Sequence, residues 1–136
     1  MKFSKELRIY GDMDYRGPCP SEDVEQVTFF NRLRRNHPDT LAKIAMHPKN
    51  EGKRTRYQMD TDKAKGLTPG ASDIIIPGSP AFVCELKRRD HTKSTWQPGQ
   101  ENYLIISQNH GAFACIALGA DAATEALNEW LAILTN

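Results

Sequence analysis

No apolar run in this 136-residue chain approaches the roughly 20 residues that cross a bilayer. Its first stretch, MKFSKELRIYGD, lacks the apolar segment of a signal peptide. The expectation is a cytoplasmic protein with no membrane partner. Cysteine is scarce and odd in number, at Cys19, Cys84 and Cys115. Cys84 and Cys115 sit inside apolar runs, as small core residues do, which argues for reduced thiols and against a disulfide framework. The three lie too far apart in sequence to suggest a zinc site. Repeats and low-complexity segments are also missing.

Strong net charge is absent too, at +1, yet its distribution is lopsided. From Lys43 to Lys65 seven basic residues stand against three acidic ones, and Lys87, Arg88, Arg89 and Lys93 face only Asp90. Beyond Lys93 the chain has no Lys or Arg and four acidic residues. One positive face and one negative face would suit a polyanionic partner, although ordinary solvated charge explains the same pattern.

What is present describes one soluble globular domain, with 39% hydrophobic and 26% charged residues, and the elements read below make it α/β. Residues 1–20 lack periodicity and read as an irregular arm or cap available for self-association, with the domain proper over 21–136. Ser21 is a good helix N-cap, Glu22 and Asp23 suit the positive first turn, and the His37-Pro38 pair is a stop, which predicts a helix over 22–36. Glu22 and Gln26 then project in line with Phe29 and Leu33, beside an apolar arc including Val27 and Phe30. TLAKIAMHP fits a short strand or a helical turn, and periodicity does not decide between them. A weak helix over 55–65 follows, with Gly66 placed to end it.

Residues 72–76 and 81–87 read as two strands of an antiparallel hairpin. A helix over 98–110 follows, then the buried strand FACIAL, then a last helix capped by Asp121 and carrying Leu127, Trp130, Leu131 and Leu134.

The hairpin, ASDIIIPGSPAFVCELKRRD, carries charge in its apolar runs. Side chains alternate along a strand, so Glu85 and Lys87 share a face. With a turn of Gly78, Ser79 and Pro80, Pro77 faces Ala81 and Asp73 falls opposite Glu85; a slip of one residue would separate them. Carboxylates about 4 Å apart repel by roughly 4 kcal/mol at an effective dielectric near 20. A divalent cation removes that cost, and oxygen ligands without His or thiolate partners suit Mg²⁺ or Mn²⁺. The Leu86 backbone carbonyl is a further candidate ligand, and Glu22 a fourth, directly or through water. A cross-strand ion pair with Lys87 is the competing account of the same acids. A metal beside a lysine can serve displacement at phosphorus, with Lys87 holding the attacking water and stabilising the transition state, or acting second as general base.

The order Asp73, about a dozen residues, then Glu85-x-Lys87 resembles the PD-(D/E)xK nuclease superfamily. The run of SEDVEQVTFFNRLRR, HPKNEGKR, KAKGLTPGASDIIIP, CELKRRD and TWQPGQENYLIISQNHG resembles its virus-type replication-repair nuclease (VRR-NUC) branch over about residues 21–134, in the stand-alone form carried by bacteriophages. That resemblance implies a single restriction-endonuclease-like domain, a central mixed β-sheet flanked by helices. It implies catalytic roles for Glu22, Asp73, Glu85, Lys87 and Gln100, the last from a Q-x-x-[W/Y] pattern in which Tyr103 stands where many members have Trp. GASD departs from the commoner G-V-P-D at small positions. It further implies an Mg²⁺- or Mn²⁺-dependent deoxyribonuclease, acting as a homodimer on branched DNA such as four-way junctions, in the host cytoplasm if phage-encoded. Lys53, Arg54, Arg56, Arg88, Arg89 and Lys93 become candidates for DNA-backbone contacts. Trp96 is expected to pack rather than stack on a base, and His91 and His110 are given no role. The rival reading is a non-catalytic DNA-binding or recruitment module with a salt-bridged acidic cluster.

Overall fold

A computed structural model describes residues 1–48 and 55–135 of the chain. Its strands are β1 (Arg8–Tyr10), β2 (Ile74–Ile76), β3 (Phe82–Lys87) and β4 (Phe113–Leu118), joined in one sheet of order β1-β4-β3-β2. β2 runs antiparallel to β3, whereas β3, β4 and β1 are mutually parallel. The helices are α1 (Glu22–Asn36), α2 (Leu41–Ile44), α3 (Arg56–Ala64), α4 (Gln100–Asn109) and α5 (Ala120–Leu134), with a short 3₁₀ turn at His91–Lys93. The result is the α/β architecture expected, a mixed sheet with helices on both faces. No helix among the described residues is long and apolar enough to cross a membrane.

All six residues of β3 and of β4 are buried, because helices cover both sides of the central strands. On one side Phe82, Cys84 and Leu86 pack with Phe113 and Cys115 against Phe29 and Leu33 of α1 and Trp130 of α5. Each such aromatic or aliphatic side chain contributes about 1.5–3 kcal/mol by leaving water. On the other side Val83, Ala114, Ile116 and Leu118 meet Leu104 of α4. Strand alternation sends Glu85 and Lys87 to this second side, where they are buried at 0% and 1% exposure.

The hairpin register is the one expected. Ile74 pairs Cys84, Ile75 pairs Val83 and Ile76 pairs Phe82, so one step further Asp73 lies opposite Glu85. α1 begins at Glu22 because the Ser21 side chain accepts from the Val24 N–H while three acids stand in its first turn. The undecided TLAKIAMHP stretch is one helical turn, α2, followed by a bridge from Met46 to Ile75 on the free edge of β2. Cys84 and Cys115 are register partners on the central strands, and all three thiols are free. Their mutual hydrogen bond and burial push the Cys84 thiol well above its ordinary range.

Three expectations are corrected. Residues 8–10 are not part of an irregular arm but the outer strand β1, parallel to β4. A parallel edge strand of three residues leaves no periodic signature, and its partner is a hundred residues away. Val27 is 58% exposed rather than part of the apolar arc, because the buried stripe of α1 is Glu25, Phe29 and Leu33. Asp121 is not the cap of α5: Gly119 occupies that position, and the Glu25 carboxylate accepts the Ala120 N–H at 2.8 Å from across the fold. A carboxylate there satisfies an otherwise orphaned donor and favours the positive end of the helix.

Candidate functional site

β3 delivers Glu85 and Lys87 to the α4 side, and the start of β2 delivers Asp73 to the same place. The Asp73 carboxylate accepts the Leu86 backbone N–H at 2.9 Å. N–H and C=O of one strand residue point to the same edge, so the Leu86 carbonyl projects toward Asp73 as well. Burial raises the Asp73 carboxyl above its ordinary range, against the downward pull of the Leu86 N–H. Glu85 is raised well above the usual carboxylate range, by burial first and then by the Asp73 charge, with Lys87 acting in the opposite direction. Two ionised carboxylates are both acceptors and cannot bond one another, so a cation between them would relieve the cost of the pair.

Both Glu85 carboxylate oxygens are buried with no hydrogen-bond partner. Lys87 is the nearest cation, yet its Nζ stands 3.8 Å from Glu85 Oε1. Two of its three donors are committed elsewhere, to Thr95 O at 2.8 Å and Gln100 Oε1 at 2.9 Å. The Trp96 ring lies 4.9 Å from the same ammonium, and Trp96 Nε1 donates to Lys2 O, so Trp96 packs as expected. Gln100 Oε1 also accepts the Gln97 N–H at 2.8 Å. With that oxygen saturated, the NH₂ end of Gln100 is turned away from Lys87.

Glu22 approaches from the first turn of α1. Its carboxylate accepts from Ser94 Oγ at 2.7 Å, and Ser94 Oγ accepts the Arg88 N–H at 2.9 Å. This relay ties α1 to the end of β3 and leaves Glu22 close enough to raise Glu85 further. Among the described residues no group of three His, Cys, Asp or Glu side chains is gathered closely enough to hold a metal ion. The expected fourfold set is therefore an Asp73–Glu85 pair with Leu86 beside it and Glu22 engaged by Ser94.

A cleft of about 760 Å³ opens beside Asp73, lined by Glu22, Gln26, His47, Asp73 and Gln100 on one side and by α3 on the other, with Glu85 and Lys87 buried behind that lining. The α3 face turned to it carries Arg56, Met59, Asp60 and Lys63, spaced as one side of a helix. Gly70, in its lining, makes a close backbone contact with Gly99: a Cβ on Gly70 would fall 2.5 Å from the Gly99 carbonyl carbon.

Of the six basic residues expected to meet DNA, Arg56 lines the cleft. Lys53 and Arg54 lie outside the described residues. Arg88 instead donates to the Cys19 and Pro20 carbonyls, and Lys93 to the Gly17 carbonyl, so both hold the N-terminal segment. Arg89 stands 3.7 Å from Asp121. Sequence reasoning missed Lys63, Ser94, Thr95 and His47 as site residues. Only Lys63 had a legible signal, a basic residue seven after Arg56 on a predicted helix.

No protein-family model matches the chain, and no curated protein matches its sequence. Its fold is similar to that of a solved structure described as a VRR_NUC domain protein, at 20% identity and a TM-score of 0.67, covering 86% of this chain and 91% of the other. The likeness shows a shared fold, the mixed four-stranded sheet flanked by helices.

Proposed function

We propose that the protein is a metal-dependent nuclease that hydrolyses DNA phosphodiester bonds in this cleft. The observation that carries the reading is the Glu85 carboxylate, fully buried, with two unpartnered oxygens beside a second carboxylate. An ion-pair account offsets only part of that cost, since the Lys87 ammonium bonds Thr95 and Gln100 and, at 3.8 Å, stands too far from Glu85 for a hydrogen bond. Paired hard oxygens fit a divalent cation such as Mg²⁺ or Mn²⁺. Asp73, Glu85 and the Leu86 carbonyl would hold it, with Glu22 contributing through water. When bound, such an ion polarises a phosphoryl oxygen and makes water a better nucleophile.

The chain's own groups supply the rest. Lys87 Nζ, fixed on two sides by acceptors, has one donor left to orient the attacking water and to stabilise charge growing on phosphorus. Gln100, which also lines the cleft, sets that lysine. Arg56 and the neighbouring basic residues bind the sugar-phosphate backbone. The finer reading follows the sequence resemblance: a homodimer selective for branched DNA such as four-way junctions, in phage replication, recombination or repair within the host cytoplasm.

The test is incubation with labelled linear, flap and four-way-junction DNA in Mg²⁺, Mn²⁺ or EDTA. Metal-dependent cleavage lost in Asp73→Ala and Glu85→Ala supports the enzyme. Retained wild-type rates in either variant, or DNA that is bound but never cut, would sink it. Light scattering after gel filtration reads the dimer.

A further inference from the structure

Among the described residues no strand lies beside the outer edge of β2, and its backbone groups are satisfied in another way. Met46 and Ile75 exchange both backbone hydrogen bonds, each 2.9 Å. Backbone groups alternate sides along a strand, so the next carbonyl on this edge belongs to Asp73. It accepts from Gln26 Nε2 at 3.3 Å and from His47 Nδ1 at 2.8 Å. A carbonyl can only accept, so Nδ1 carries the proton in this contact. Gln26 comes from α1 and His47 from the segment after α2, yet both end on one backbone oxygen. On the opposite side the Asp73 carboxylate takes the Leu86 N–H. The residue is gripped at both ends where the β2–β3 ladder finishes at Ile74 and Cys84.

We infer that Gln26 and His47 are positioning residues that fix the Asp73 backbone and thereby the direction in which its carboxylate meets Glu85. The catalytic consequence rests on the nuclease reading; the grip itself does not. Without the two donors the Asp73 peptide is free to turn toward water, and a small rotation there swings the carboxylate away from both Leu86 and Glu85. Groups that orient a metal-binding side chain typically carry about 10–100-fold in metal affinity or activity.

The test compares wild type with the double variant Gln26→Leu/His47→Leu, both single variants, and His47→Asn, whose amide N–H donates in place of Nδ1. In metal-free protein, NMR hydrogen exchange of the Leu86 amide reports whether the Asp73 carboxylate is still in place, with the Ile116 amide of β4 as the control for the fold. The double variant should speed Leu86 exchange by about tenfold or more while Ile116 holds its rate, and His47→Asn should stay near wild type. Mn²⁺ affinity by calorimetry should fall by about 10–100-fold in the double variant, and kcat should fall with KM for DNA nearly unchanged. If the double variant does not fold, the Leu singles carry the same comparison. Leu86 exchange equal to wild type in the variants, or His47→Asn as fast as His47→Leu, overturns the inference. A wild type that neither binds Mn²⁺ nor cuts DNA refutes the nuclease reading, and the Leu86 amide still decides the grip.

Discussion

Lys87 Nζ lies 2.9 Å from Gln100 Oε1, a bond from the last residue of a central strand to the first residue of the helix that follows it. The ammonium is thereby held on the acidic side of the cleft without being spent on Glu85. Gln100→Ala should lower kcat by about 10–100-fold by loosening Lys87, and Lys87→Met should lower it by about a hundredfold or more, as for loss of a preorganised donor. Single-turnover cleavage in Mn²⁺ measures both. A Lys87→Met protein that cuts at the wild-type rate would remove Lys87 from the reaction.

Glu85→Gln should give a protein that is inactive and more stable. The amide can donate to Asp73, which the carboxylate cannot, and it buries no charge. In EDTA at pH 8 the gain should be about 1–3 kcal/mol in urea unfolding. A variant less stable than wild type under those conditions would mean that the Glu85 charge is already compensated.

Stability of the metal-free protein should fall as pH rises. Glu85 and Asp73 are both raised in the fold, so their stabilising protonation is complete below the unfolded carboxylate range and is lost as pH climbs through their folded values. Asp90 acts in the opposite sense and in another window. It is lowered to about 2 by the Thr92 hydroxyl and the Gly17 N–H, so its contribution is lost only as pH drops toward that value. Melting in EDTA should therefore occur at lower temperature at pH 8 than at pH 5.5, with Mn²⁺ restoring more at pH 8. Equal melting at the two pH values contradicts the burial of an uncompensated pair.

Arg56 and Arg88 should separate DNA binding from chain architecture. Arg56→Ala should reduce the salt slope of DNA affinity by about one, as for one lost phosphate contact. Arg88→Ala should leave that slope nearly unchanged and instead hasten proteolysis within residues 1–20, because its guanidinium holds the Cys19 and Pro20 carbonyls. Anisotropy titrations and limited digestion read the two effects.

Gly70→Ala should damage the cleft lining. The residue has φ +80, and the added methyl would collide with the Gly99 backbone rather than with a movable side chain. A loss of about 1–3 kcal/mol is expected, with cleavage reduced because Gly99 precedes Gln100 directly.

The parts of the site legible in the sequence are those fixed by near neighbours. A turn of set length put Asp73 against Glu85, alternation put Lys87 beside it, and Ser21 marked where α1 begins. The parts that were not legible depend on contacts between distant segments. Glu25 reads as one more acid in a helix, and only the packing of α1 against α5 makes it the partner of Ala120. Arg88 reads as one of a basic cluster suited to phosphates, and only the return of the first twenty residues turns it inward. His47 follows a stretch of undecided structure, so nothing local pointed it at Asp73.

The Cys84–Cys115 pair at the centre of the sheet supplies a built-in clock. Both sulfurs are sealed away in the native state, whereas Cys19 is partly open to solvent. An alkylating reagent in excess should mark Cys19 at once and the central two only when β3 and β4 come apart. The lag between the two signals, followed by intact mass, would time that separation with no engineered label.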